Sequence, residues 1–99
     1  MLLAFSVAPT TAQADDGSVS EAVAAAVAVV RASGLPHETT AMFTTIEGEW
    51  DEVMAVVKKA VDAVSAYAPR VSLVMKADIR PGYTGQLTAK VDRIDKHLS

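Results

Sequence analysis

The chain has no cysteine, few aromatic residues and no lysine or arginine before Arg31. Without a thiol there is no disulfide framework, no thiolate zinc or iron–sulfur site and no cysteine nucleophile. Only 5% of the 99 residues are aromatic although 51% are hydrophobic, so 18 alanines and 14 valines supply most of the apolar surface. That excludes a disordered segment, which combines low hydrophobicity with high charge. A formal net charge of −3 leaves no basic field for a phosphate backbone, and nucleic acid is not an expected partner. No apolar run approaches the roughly 18 residues a membrane helix needs, so no membrane partner is expected either. The opening stretch MLLAFSVAPTTAQA ends like a signal-peptide cleavage site. It lacks the basic leader, however, and its apolar run stops at Pro9, so it reads better as a buried strand and a loop. A cytoplasmic protein is the expectation. At this length one core serves, and residues 1–99 are expected to form a single domain.

Leu2 to Ala8 reads as a first strand, ended by Pro9 and a polar loop. Ser18 and Glu21 have capping-box spacing, and Val19, Val23, Ala26, Val27 and Val30 follow at helical intervals up to the Ser33-Gly34-Leu35-Pro36 stop. His37 to Glu47 is threonine-rich and carries no helix cap, which predicts two strands meeting near Thr40-Ala41. After Gly48, a second helix repeats Trp50, Val53, Val57, Val61 and Val64 down to about Tyr67. Arg70 to Arg80 alternates as a half-buried strand, with Val71, Leu73, Met75, Ala77 and Ile79 on one face and Ser72, Val74, Lys76, Asp78 and Arg80 on the other. Pro81-Gly82 closes it, and Leu87, Val91, Ile94 and Leu98 form a narrow stripe on a last, charged helix. The order βαββαβ plus a helix predicts an α+β ferredoxin-like sandwich: a four-stranded antiparallel sheet, both main helices on one face, and an extra C-terminal helix.

Parity along the strands says what the other face shows. If Leu3, Phe5, Val7, Met42, Thr44 and Ile46 point at the helices, then Leu2, Ala4, Ser6, Phe43, Thr45 and Glu47 point away, joined by Val74, Lys76, Asp78 and Arg80. As a plain solvated face, these charges would pair among themselves. The apolar Leu2, Phe43 and Val74 among them favour instead a subunit interface or a ligand pocket. His37 and His97 lack metal-ligand spacing, no histidine accompanies Ser6, Ser72 or Thr45, and no glycine-rich phosphate loop follows a strand. Glu47 or Asp78 could act as a base only with a raised pKa, against which the nearby cations argue. Trp50 reads as core packing or a pocket rim.

At Phe43 to Trp50 (FTTIEGEW), at Met75 to Gly82 (MKADIRPG) and at Leu3 to Pro9 (LAFSVAP), the sequence resembles the YkoF-like thiamine- or hydroxymethylpyrimidine-binding family. The three motifs stand in the family's order and span nearly the whole chain. The resemblance implies a ferredoxin-like fold, assembly into a homodimer or homotetramer, no catalysis, no cofactor, and thiamine (vitamin B1) or hydroxymethylpyrimidine as ligand. It further implies that Ser6 and Thr45 hydrogen-bond the pyrimidine, that Glu47 or Asp78 accepts from its amine or offsets the thiazolium charge, and that Phe43 or Trp50 stacks on a ring. Lys76 and Arg80 would suit a phosphate ester. The alternative is a self-associating module with no small-molecule ligand.

Overall fold

The computed structural model describes residues 1–10 and 16–98, and among these the side chains of 16–18 are left aside. Its elements run β1 (Leu2–Pro9), α1 (Asp16–Ala32), β2 (His37–Thr39), β3 (Thr44–Glu47), α2 (Trp50–Ser65), β4 (Val71–Asp78) and α3 (Gln86–Leu98). The strands form one antiparallel sheet in the order β2-β3-β1-β4. This is the ferredoxin-like α+β fold expected from the sequence, with the additional helix at the C-terminus.

The core follows from strand parity. Leu3, Phe5 and Val7 alternate into it from β1, and Thr44 and Ile46 from β3. Against them α2 places Val53, Val56, Val57, Ala60 and Val64, a stripe at three- and four-residue spacing. On α1 the buried line is Ala22, Ala26 and Val30, every fourth residue. The valine stripe read from the sequence is therefore rotated: Val23 is 40% exposed. Alanine lets a helix approach its neighbours more closely than valine would, so the small residues form the contact. The helix also starts at Asp16, ahead of Ser18, whose proposed capping side chain lies outside the described residues. Its end is as expected: the Ser33 hydroxyl donates to the Val30 carbonyl at 2.6 Å and accepts from the Leu35 amide at 3.1 Å, with Gly34 at φ +76°.

Three further expectations are corrected. Met42 does not point inward but sits in the β2–β3 turn, 74% exposed. Trp50 is no core residue: it opens α2 and is 53% exposed. β4 is not half buried, because only Val71 is partly covered and the rest of the strand is exposed on both faces. It is an edge strand, and of its residues only Val71, at its start, packs against the core.

Candidate functional site

On the sheet face turned from α1 and α2, the pairing registers arrange the predicted residues in rungs. Glu47, Leu2 and Asp78 form one rung, and Thr45, Ala4 and Lys76 the next. Ser6 faces Val74 on the third, and one step past the β1–β3 ladder it would face Phe43. Successive rungs lie two residues apart, roughly 7 Å. The central rung has alanine as its floor, flanked by a hydroxyl and an ammonium.

The face is not bare at the Glu47 end, because α3 lies over it. Glu47 is 7% exposed, and its Oε2 and Oε1 accept the backbone amides of Gln86 (2.9 Å) and Leu87 (3.3 Å). A carboxylate thus satisfies two of the four amides that the first turn of a helix leaves open, at the positive end of its dipole. Farther along α3, the Lys90 ammonium reaches the Asp78 carboxylate at 2.6 Å. The charges therefore do not pair within the sheet, as a solvated face would have them: Asp78 and Glu47 are both engaged by α3. Sequence reading missed this clamp because the partners of Glu47 are backbone groups 39 and 40 residues away. Apart from the partly covered Leu87, the apolar stripe of α3 stays exposed, with Val91, Ile94 and Leu98 among the open hydrophobics.

One small cleft adjoins this face at its Glu47 end, and another lies on the helix side of the sheet. The one under α3 has a volume of about 150 Å³ and brings together Glu47, Asp78 and Arg80 with Tyr83, Lys90 and Arg93. The other, about 180 Å³, lies between α1 and the sheet beside the β2–β3 turn: Val23, Ala26 and Val27 line it with the helix-facing Phe5 and Val7, and Ser6 and Phe43 border it. Each is smaller than the ~300 Å³ at which sites for drug-sized ligands begin. Neither by itself is large enough to enclose a ligand of that size. Thr45, Lys76 and Trp50 line neither. Among the described residues, no group of three or more His, Asp or Glu side chains is placed to hold a metal ion. No helix among them is long and apolar enough to cross a membrane.

The Asp78 carboxyl is held below its ordinary value of 3.8, first by the Lys90 hydrogen bond, then by the charges of Lys90, Arg80 and Lys76; desolvation opposes them. A depressed carboxylate pKa stabilises the folded state above the unfolded value, and that contribution is lost as pH falls through the folded one. The tie between β4 and α3 therefore persists through neutral and mildly acidic pH and opens only below the ordinary aspartate range. Carboxyl-detected NMR should show Asp78 titrating lower than a free aspartate, and Lys90→Met should return it towards the ordinary value. An unchanged titration in that variant would contradict the assigned cause.

The family model for thiamine-binding proteins matches residues 3–95. The chain belongs to the thiamine-binding protein family. A UPF0045 protein of Mycobacterium bovis is 54% identical over 99 residues, covering 99% of this chain and 94% of its own. A UPF0045 protein of a Synechocystis strain is 39% identical over 82 residues, covering 82% and 68%. Among solved structures, a Bacillus cereus domain of unknown function superposes with TM-score 0.79 at 35% identity, covering 91% of this chain and 85% of that one. A Thermotoga maritima protein provisionally assigned to thiamine biosynthesis or salvage gives TM-score 0.79 at 26% identity, with 94% and 96% covered. Membership in the thiamine-binding family thus agrees with the resemblance carried by the three sequence motifs.

Proposed function

We propose that the protein binds thiamine or a related pyrimidine, without catalysis, on the open sheet face. The observation that carries this is the central rung, where Ala4 leaves room for a flat ring between the Thr45 hydroxyl and Lys76, with the α3 cleft at one end. Thr45 and Ser6 offer both donor and acceptor to an aminopyrimidine edge, and the Phe43 ring can cover a ring face. Glu47 and Asp78 lie on the neighbouring rung and lend negative charge to offset the thiazolium, Glu47 while accepting two neutral amides and Asp78 while paired with Lys90. A binding role without catalysis is supported by the direction of the Asp78 shift: a general base working near neutral pH needs a raised pKa, and this one is lowered.

A second observation supports self-association. Val74, Met75 and Ile79 are 55%, 44% and 60% exposed on or beside an eight-residue edge strand. Unpaired strand edges and contiguous apolar surface are both suited to burial against another copy. We propose a homodimer or homotetramer in which this surface is covered, with the ligand on the open face or at the contact between copies.

Calorimetric titration combined with light scattering separates the readings. Thiamine or hydroxymethylpyrimidine should bind the wild type, and Thr45→Val should weaken that binding about tenfold through loss of one buried hydrogen bond. A mass of two or four chains with no binding of either compound at millimolar concentration would overturn the ligand reading and leave the self-associating module.

A further inference from the structure

The cleft beneath α3 carries more positive charge than its carboxylates use. Both carboxylates that line it have partners: Asp78 is neutralised by Lys90 at 2.6 Å, and the two oxygens of Glu47 face the amides of Gln86 and Leu87. Arg80 and Arg93 have no such counter-charge within ion-pair distance among the described residues. In a chain of net charge −3, these two guanidinium groups are gathered at one small concavity.

Each is anchored by a neutral group. The guanidinium carbon of Arg80 stacks 3.6 Å from the centre of the Tyr83 ring, which occupies its face and leaves its in-plane N–H edge to donate. Arg93 Nη2 donates to the Gln86 side-chain oxygen at 3.2 Å, which uses one of its five N–H groups. Both side chains are thereby positioned without being discharged. Two guanidinium groups that form no ion pair suit a phosphate monoester, which has three oxygens to share between their N–H edges.

We infer that the cleft under α3, through Arg80 and Arg93, binds the terminal phosphate of a phosphorylated ligand. Its volume of about 150 Å³ admits such a group but no ring system beside it. Leu2 lines this cleft and Ala4 follows two residues along β1, so the remainder of the ligand lies over the central rung roughly 7 Å away. The ring placement rests on the function proposed above; the anion site itself does not.

The test is calorimetry of the full-length protein with thiamine, thiamine monophosphate, thiamine diphosphate and inorganic pyrophosphate. The wild type should bind the phosphate esters at least about tenfold more tightly than thiamine. Arg93→Gln, on an exposed stretch of α3, should remove that preference while thiamine affinity moves less than about twofold. Arg80→Gln should also remove it, and circular dichroism checks that either variant is folded. Esters and thiamine binding alike, or a preference that survives both substitutions, would overturn the anion site and leave the ring site standing. Pyrophosphate binding that Arg93→Gln abolishes, with no thiamine compound bound, would support the anion site and remove the thiamine reading. If pyrophosphate fails to bind and no ester preference appears, the inference is wrong.

Discussion

Replacing Leu3 with alanine should cost the fold about 2–5 kcal/mol, the range for truncating a fully buried leucine. Leu3 is 2% exposed on the central strand, between β3 and β4 in the ladder, and it faces the α1 and α2 side chains. The surrounding core is built from short residues, chiefly Ala22, Ala26, Val30, Val53 and Val57. Such side chains have little reach with which to collapse into the space a leucine leaves, so the cavity persists and the loss should fall in the upper part of that range. For a domain of this size each kcal/mol lowers Tm by roughly 4–8 °C. Thermal unfolding at fixed protein concentration checks this. Leu2→Ala is the internal control: one residue along, it faces the other side of the sheet and should cost no more than about 1 kcal/mol. Equal losses at the two positions would contradict the assignment of faces.

Substituting Glu47 should have the largest effect on α3 while sparing the rest of the fold. Hydrogen bonds to a charged group contribute about 1.5–3 kcal/mol, and Glu47 accepts two from the first turn of that helix. With Glu47→Ala, hydrogen exchange at the Gln86 and Leu87 amides should accelerate about ten- to hundredfold. The amides of Leu3 and Ile46, paired within the sheet, should keep their protection. Glu47→Gln should give an intermediate result, since it retains one acceptor oxygen but turns its carboxamide NH2, a donor, towards the second backbone N–H. If α3 exchanges at wild-type rates in Glu47→Ala, then the clamp does not hold it. Because no residue of α3 is buried, few other contacts compensate for its loss. The helix is thus attached to the sheet mainly by polar ties, Glu47 to its first turn and Asp78 to Lys90. Those ties shape the cleft where Arg80 and Arg93 meet.

Much of this architecture was legible in the sequence because its cues are local. The alternation Leu3, Phe5, Val7 identifies one face of a strand, Ser33-Gly34 stops a helix, and the βαββαβ order leaves few ways to assemble a sheet. Parity placed Ser6, Thr45, Glu47, Lys76 and Asp78 on the same surface, as the register has them. Local cues failed where depth depends on what lies opposite. Alternation along β4 was read as half burial, yet alternation records only that successive side chains face opposite ways. Parity carried Met42 inward with Thr44 and Ile46, but the chain turns before reaching it, and Trp50, core packing or a pocket rim by its sequence, opens a helix where little packs against it.

The sequence by itself determined the order and type of the elements and the faces of β1 and β3. Only the tertiary structure decided where α3 docks, that Glu47 serves as its clamp, that Asp78 pairs with Lys90, and that Arg80 and Arg93 line one cleft. The physical reason is one of range. Backbone periodicity is written residue by residue, whereas the partner of a charge is set by which segments fold back on one another. For Glu47 that partner is a pair of peptide N–H groups, which every residue except proline carries and no side-chain pattern can announce.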